Sequence, residues 1–77
     1  MSTTQIHGTD PEKLVKMANQ IGDFFKSYPE PTAVEGVREH IAKFWNKKMQ
    51  ADLFAAIDAH AVSGLSPLVE KAIAKLR

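Results

Sequence analysis

The sequence predicts an all-α fold: one small domain of four helices, the last one short, behind a frayed polar N-terminal tail. Three observations predict it. Large apolar residues recur at three- and four-residue spacing along most of the chain. Prolines and capping residues cut that pattern into four segments. No stretch alternates apolar and polar residues between hairpin turns, so no strand is expected.

Residues 1–8 carry a single large apolar side chain after the initial methionine, Ile6, and read as a disordered tail, leaving 9–77 as the single helical domain. Thr9-Asp10-Pro11-Glu12 reads as a helix start, with a capping oxygen, proline in the first turn and glutamate three residues after the threonine. Leu14, Met17, Ala18, Ile21, Phe24, Phe25 and Tyr28 then share one face, with Val15 and Gly22 at its edge. Lys13, Lys16, Asn19, Gln20, Asp23 and Lys26 fall opposite. Pro29 and Pro31 end this helix, because proline lacks an N–H and disfavours helical geometry in the residue before it. Thr32 is then expected to cap a second helix, with Glu35 at the capping-box position. Its apolar stripe is Val34, Val37, Ile41, Phe44 and Trp45, with Arg38 at the margin.

Asn46 is a plausible cap for a third helix running from about Lys47 to His60 or Ala61. Met49, Leu53, Ala56, Ile57 and His60 share a face, but Phe54 and Ala61 lie beside it and Ala51, Ala55 and Ala59 opposite. A helix apolar on more than one side is usually covered on more than one side. Gly64 is expected to end it, and Ser66 and Pro67 to open the fourth helix as cap and first position. Leu68, Val69, Ala72, Ile73 and Leu76 then face inward.

Composition excludes several function classes. A chain of 77 residues buries only roughly 60–65% of its unfolded surface, and an active-site cleft would be hard to house in its volume. There is no cysteine, hence no thiolate nucleophile, iron–sulfur cluster or Cys-type zinc site. Ten Lys+Arg against nine Asp+Glu give a net charge of +1, which argues against binding nucleic acid or membrane chiefly by charge. No signal-like segment or membrane span is visible, so a soluble cytoplasmic protein is expected.

The motifs that carry chemistry are missing. Each glycine stands alone, so there is no phosphate cradle. The histidines at 7, 40 and 60 have no partner at helical ligand spacing. His40 beside Glu39 reads as a solvated charged face, and His60 as a partly buried imidazole bonded to a carbonyl. No serine has a recognisable base. Ser63-Gly64-Leu65-Ser66 resembles the turn of a DNA-reading helix pair, but His60 and Glu70 stand where that motif wants alanine and an aliphatic residue. Arg38, Lys43, Lys47 and Lys48 near Phe44 and Trp45 read as a core aromatic pair edged by solvated cations rather than a stacking site for nucleic acid. No catalytic, cofactor-binding or metal-binding residue is expected.

Three blocks carry a family resemblance. They are Lys13-Leu14-Val15-Lys16-Met17-Ala18-Asn19-Gln20-Ile21-Gly22 with Phe24-Phe25, then Val37-Arg38-Glu39-His40-Ile41-Ala42-Lys43-Phe44-Trp45, then Gly64-Leu65-Ser66-Pro67-Leu68-Val69. In order and spacing, from residue 13 to about 73, the chain resembles the delta subunit of cytoplasmic, NAD-dependent, molybdenum-containing formate dehydrogenases. It departs after Phe-Trp, where the family commonly has Asp-Pro-Arg-Met and this chain has Asn46-Lys47-Lys48-Met49. Asparagine caps as aspartate does and Lys48 keeps the charge, but lysine could not reproduce any bidentate arginine contact at that point. The resemblance implies a non-catalytic accessory subunit or assembly factor. Its partners would be larger subunits holding the molybdenum cofactor, iron–sulfur clusters, FMN and NAD site. The competing reading is a self-associating helical module that buries its apolar faces in a homodimer.

A partner surface is expected on the third helix. Its Met49–Leu53–Ile57 stripe should go inward against the first two helices. That leaves Phe54, flanked by Ala51, Ala55 and Ala61, as the candidate interface, with Arg38, Lys47 and Lys48 as its basic rim. The alternative is that the fourth helix folds over Phe54 and makes it core.

Overall fold

The computed structural model describes residues 10–77, and the tail expected over residues 1–8 lies outside them, as does Thr9. Four helices follow in order: α1 (Pro11–Phe25), α2 (Glu30–Phe44), α3 (Lys47–Asp58) and α4 (Pro67–Leu76). The described residues contain no strand. The short connection over residues 26–29 makes α1 and α2 an antiparallel pair. Across it α4 packs most extensively on α2 and also on α1, while α3 packs against α1.

Local capping chemistry sets most of the helix starts. The Asp10 carboxylate accepts from the Glu12 N–H at 3.0 Å, Asn46 Oδ1 from the Met49 N–H at 2.8 Å, and Ser66 Oγ from the Val69 N–H at 3.3 Å. The start of α2 differs from expectation. It begins at Glu30, Pro29 stands at the cap position without a side-chain bond, and Thr32 already lies inside the first turn. Proline is tolerated there because first-turn N–H groups have no helical partner to lose, so Pro31 lies within the helix instead of delaying it.

The core gathers Leu14, Val15 and Ala18 from α1, Val34, Val37 and Ile41 from α2, Leu53 from α3, and Val69, Ala72 and Ile73 from α4. On α1 the buried stripe is therefore rotated from the expected one. Val15 and Gly22 are central, whereas Met17, Phe24 and Tyr28 are exposed. Gly22 explains the rotation: a Cβ there would stand 2.8 Å from Val69 Cγ2, so the missing side chain lets α4 press against α1 at this point. Gly36 of α2 does the same for the Phe25 ring, whose Cε1 lies 2.5 Å from where a Cβ would be.

The end of α3 also departs from expectation. The helix stops at Asp58, and His60, not Gly64, takes the left-handed position with φ 55°. His60 N–H donates to Ile57 C=O at 3.0 Å and Ala61 N–H to Ala56 C=O at 2.9 Å, the paired bonds of a Schellman ending. His60 is exposed, not the partly buried imidazole expected from its place on the stripe. Gly64, at φ 92°, bends the longer connection over residues 59–66. Asn19 of α1 holds that connection in place. Its Nδ2 donates to Gly64 C=O at 2.8 Å, and its Oδ1 accepts from the Ser66 N–H at 3.0 Å. A residue expected on the solvent face thus fixes where α4 begins.

Candidate partner-binding surface

Three of the expected interface residues, Ala51, Phe54 and Ala55, lie on α3, and Ala61 lies beyond it. Ala51 and Ala55 are exposed one turn apart, Phe54 is half-buried beside them, and Ala61 is exposed just past the helix end. Phe54 is neither bare nor core. It packs against the edge of the hydrophobic cluster, and the Arg77 guanidinium sits 5.0 Å from its ring centroid. The same guanidinium donates two bonds to the Asp58 carboxylate, at 2.9 and 2.7 Å. So Arg77, the residue that closes α4, covers one side of Phe54. These hydrogen bonds hold the Asp58 carboxyl below its ordinary range and raise Arg77.

Of the expected basic rim, Lys48 lies one turn before Asp52 and pairs with it at 3.0 Å. Lys47 is exposed with no ion pair among the described residues. Arg38 does not join this face. It sits on α2 and its Nε reaches both Glu35 oxygens, at 2.7 and 3.0 Å, with Glu39 at 4.0 Å. The Arg38 hydrogen bond lowers the Glu35 carboxyl, and Glu35 raises Arg38.

A second set of exposed residues escaped the sequence reading. Phe44 is 72% exposed and Phe24 68%, figures that place both outside the core they were expected to join. The two lie at opposite ends of the α1–α2 pair. Phe24 stands edge-on to Phe25, with centroids 4.9 Å apart, and Tyr28 is 5.8 Å from Phe25. Phe44 lies tilted at 41° against His40, with centroids 4.7 Å apart. The signal was present in the sequence. Adjacent helical residues point about 100° apart, so Phe24-Phe25 and Phe44-Trp45 cannot both send two rings to the centre of one core. In the first pair Gly36 makes room for Phe25. In the second, Trp45 leaves helical geometry (φ −93°, ψ 135°) and turns its ring inward, where it is 6% exposed.

An open groove of about 520 Å³ runs between α2 and α4, floored by Pro31, Val34 and Ala74. Its rim carries Glu30, Glu35, Lys71 and Lys75, with Lys71 bonded to Glu30. Charges of both signs alternate there, so the rim offers no net preference for an ion. Among the described residues no group of three or more His, Asp or Glu side chains could hold a metal ion. No helix among them is long and apolar enough to cross a membrane.

A model of the FdsD family, the NADH-dependent formate dehydrogenase delta subunit, matches residues 13–73. The match takes in α2 and α3 whole, together with nearly all of α1 and most of α4. No curated protein and no solved structure matches the chain. With residues 13–73 of its 77 under one family model, the chain belongs to the formate dehydrogenase delta subunit family.

Proposed function

We propose that this chain is a non-catalytic accessory subunit or assembly factor of a cytoplasmic NAD-dependent molybdenum formate dehydrogenase, acting by protein–protein contact. The observation that carries the reading is the family match across residues 13–73. The surface is of a kind that contact would use, since Phe44 stands 72% exposed beside exposed Lys43 and Lys47. In this reading the molybdenum cofactor, iron–sulfur clusters, FMN and NAD site belong to the larger subunits. The outer face of α3, with Ala51, Phe54, Ala55 and Ala61, is one docking surface, and exposed Lys47 and Lys48 tune the association rate. Arg38 contributes from α2 as a separate contact.

Two measurements test the proposal. The tagged chain, used as bait in formate-grown cells, should retain the larger formate dehydrogenase subunits. Deleting its gene should lower formate-dependent NAD reduction and the molybdenum content of the purified enzyme. Wild-type activity and molybdenum content in the deletion strain would overturn the assembly role. A chain that recovers only copies of itself would favour the self-associating module.

A further inference from the structure

A single exposed apolar side chain is ordinary on a small domain, and only the chemistry around it can make it a contact. Phe24 and Tyr28 lie at one end of the α1–α2 pair, with Asp23 and Lys26 beside them at 3.7 Å from one another. That end is electrically mixed. The other end is not. Along residues 40–51 no acidic residue occurs, while Lys43, Lys47 and Lys48 all do. Lys48 is engaged with Asp52, but Lys43 and Lys47 are exposed and have no ion pair among the described residues. Helical spacing sets Lys43 one turn after His40, beside Phe44, and Lys47 opens the next helix two residues after Trp45. The ring of Phe44, 72% exposed, leans at a tilt on the His40 ring and leaves an apolar face to solvent.

We infer that the His40–Phe44 pair with Lys43 and Lys47 is a docking surface for an acidic, partly apolar segment of a partner protein. The inference rests on the accessory-subunit reading and adds to it a second contact, on the α2–α3 corner. Phe44 is the anchor that a partner pocket would desolvate. Lys43 and Lys47 select carboxylates and speed encounter, a contribution that salt screens. Single-stranded nucleic acid is the other polymer that unpaired lysines around a bare ring can hold. The net charge of +1 and the absence of arginine from residues 39–51 favour the peptide.

The test uses the full chain and the co-expressed larger subunits of its formate dehydrogenase, immobilised for kinetic binding measurements. Phe44→Ala should weaken binding at least tenfold, mainly through faster dissociation. Lys43→Glu/Lys47→Glu should weaken it at least tenfold at 50 mM NaCl and much less at 500 mM. Phe24→Ala, at the opposite end, should bind within twofold of wild type. Circular dichroism should show all three folded, since the altered side chains are exposed. If the wild type binds and both the Phe44 and the double lysine variants bind equally well, the corner is not the contact, and the accessory-subunit reading survives without it. If the wild type binds no larger subunit, that reading fails and takes the inference with it. Unfolding of Phe44→Ala would make Phe44 a structural residue and overturn the inference. So would retention of a 20-nucleotide single-stranded RNA by the wild type that is lost in Phe44→Ala.

Discussion

A left-handed backbone position occupied by histidine is an uncommon choice. The Cβ of His60 at φ 55° meets steric resistance that glycine escapes. His60→Gly should therefore raise stability by about 0.5–1 kcal/mol, read as an upward shift in the thermal midpoint of a few degrees. An unchanged or lowered midpoint would mean that the imidazole makes a compensating contact. Asn19 shows the opposite economy, one side chain satisfying two backbone groups of a remote segment. Asn19→Ala should cost about 1–2 kcal/mol, measured by urea unfolding, because both groups lose their partner. The periodic pattern could not reveal that role. It sorts residues by polarity, and a half-buried amide counts as polar whether water or a loop answers it.

At the scale of the element, the starts of α1, α3 and α4 were legible, whereas the start of α2 and the end of α3 were not. Asp10, Asn46 and Ser66 act within three residues of themselves, so their chemistry can be read from the sequence alone. The stop of α3 depends on which residue the surrounding packing drives into left-handed geometry, and the obvious glycine lay beyond it. The choice between Phe44 and Trp45 was hidden for the same reason: the ring that turns inward sits just outside the helix. Phe54 joins the two readings weighed for it, since it is half-buried under the end of α4 and half-open beside Ala51 and Ala55. Phe54→Ala should cost about 2 kcal/mol, less than the roughly 3–5 kcal/mol of a fully buried phenylalanine. Loss of all helical signal at 25 °C would place Phe54 in the core and remove it from the interface.

For the whole molecule, the packing is uneven. The most extensive packing joins α2 directly to α4, and α3 leans on α1 with its far end tied to the end of α4 by the Arg77–Asp58 pair. Asp58 has a folded value below its ordinary 3.8, and Glu35 one below its ordinary 4.5. A carboxyl shifted in that direction stabilises the fold above its unfolded value, and the contribution vanishes as pH falls through the folded value. Stability should therefore be flat from pH 7 to about 5 and decline below the ordinary carboxylate range. Both pairs are solvent-exposed, so the decline should be shallow and weaker in high salt. In Asp58→Asn the part due to the Arg77 pair should be gone; an identical acid profile would show that the pair contributes nothing.

The lopsided seating of α3 bears on the order in which the molecule comes apart. A helix held along one side reaches an open, exchange-competent form by giving up fewer contacts than one sandwiched between neighbours. In the isolated chain, amide deuteration of residues 50–58 should therefore outpace that of the middle of α2, where Val37 and Ile41 are fully enclosed. Binding a partner across Ala51, Phe54 and Ala55 should slow it, because the partner supplies the missing wall. Exchange timed on the free and assembled subunit then reads occupancy of that face without altering a residue. Equal deuteration in the two states would mean that α3 remains bare in the assembly.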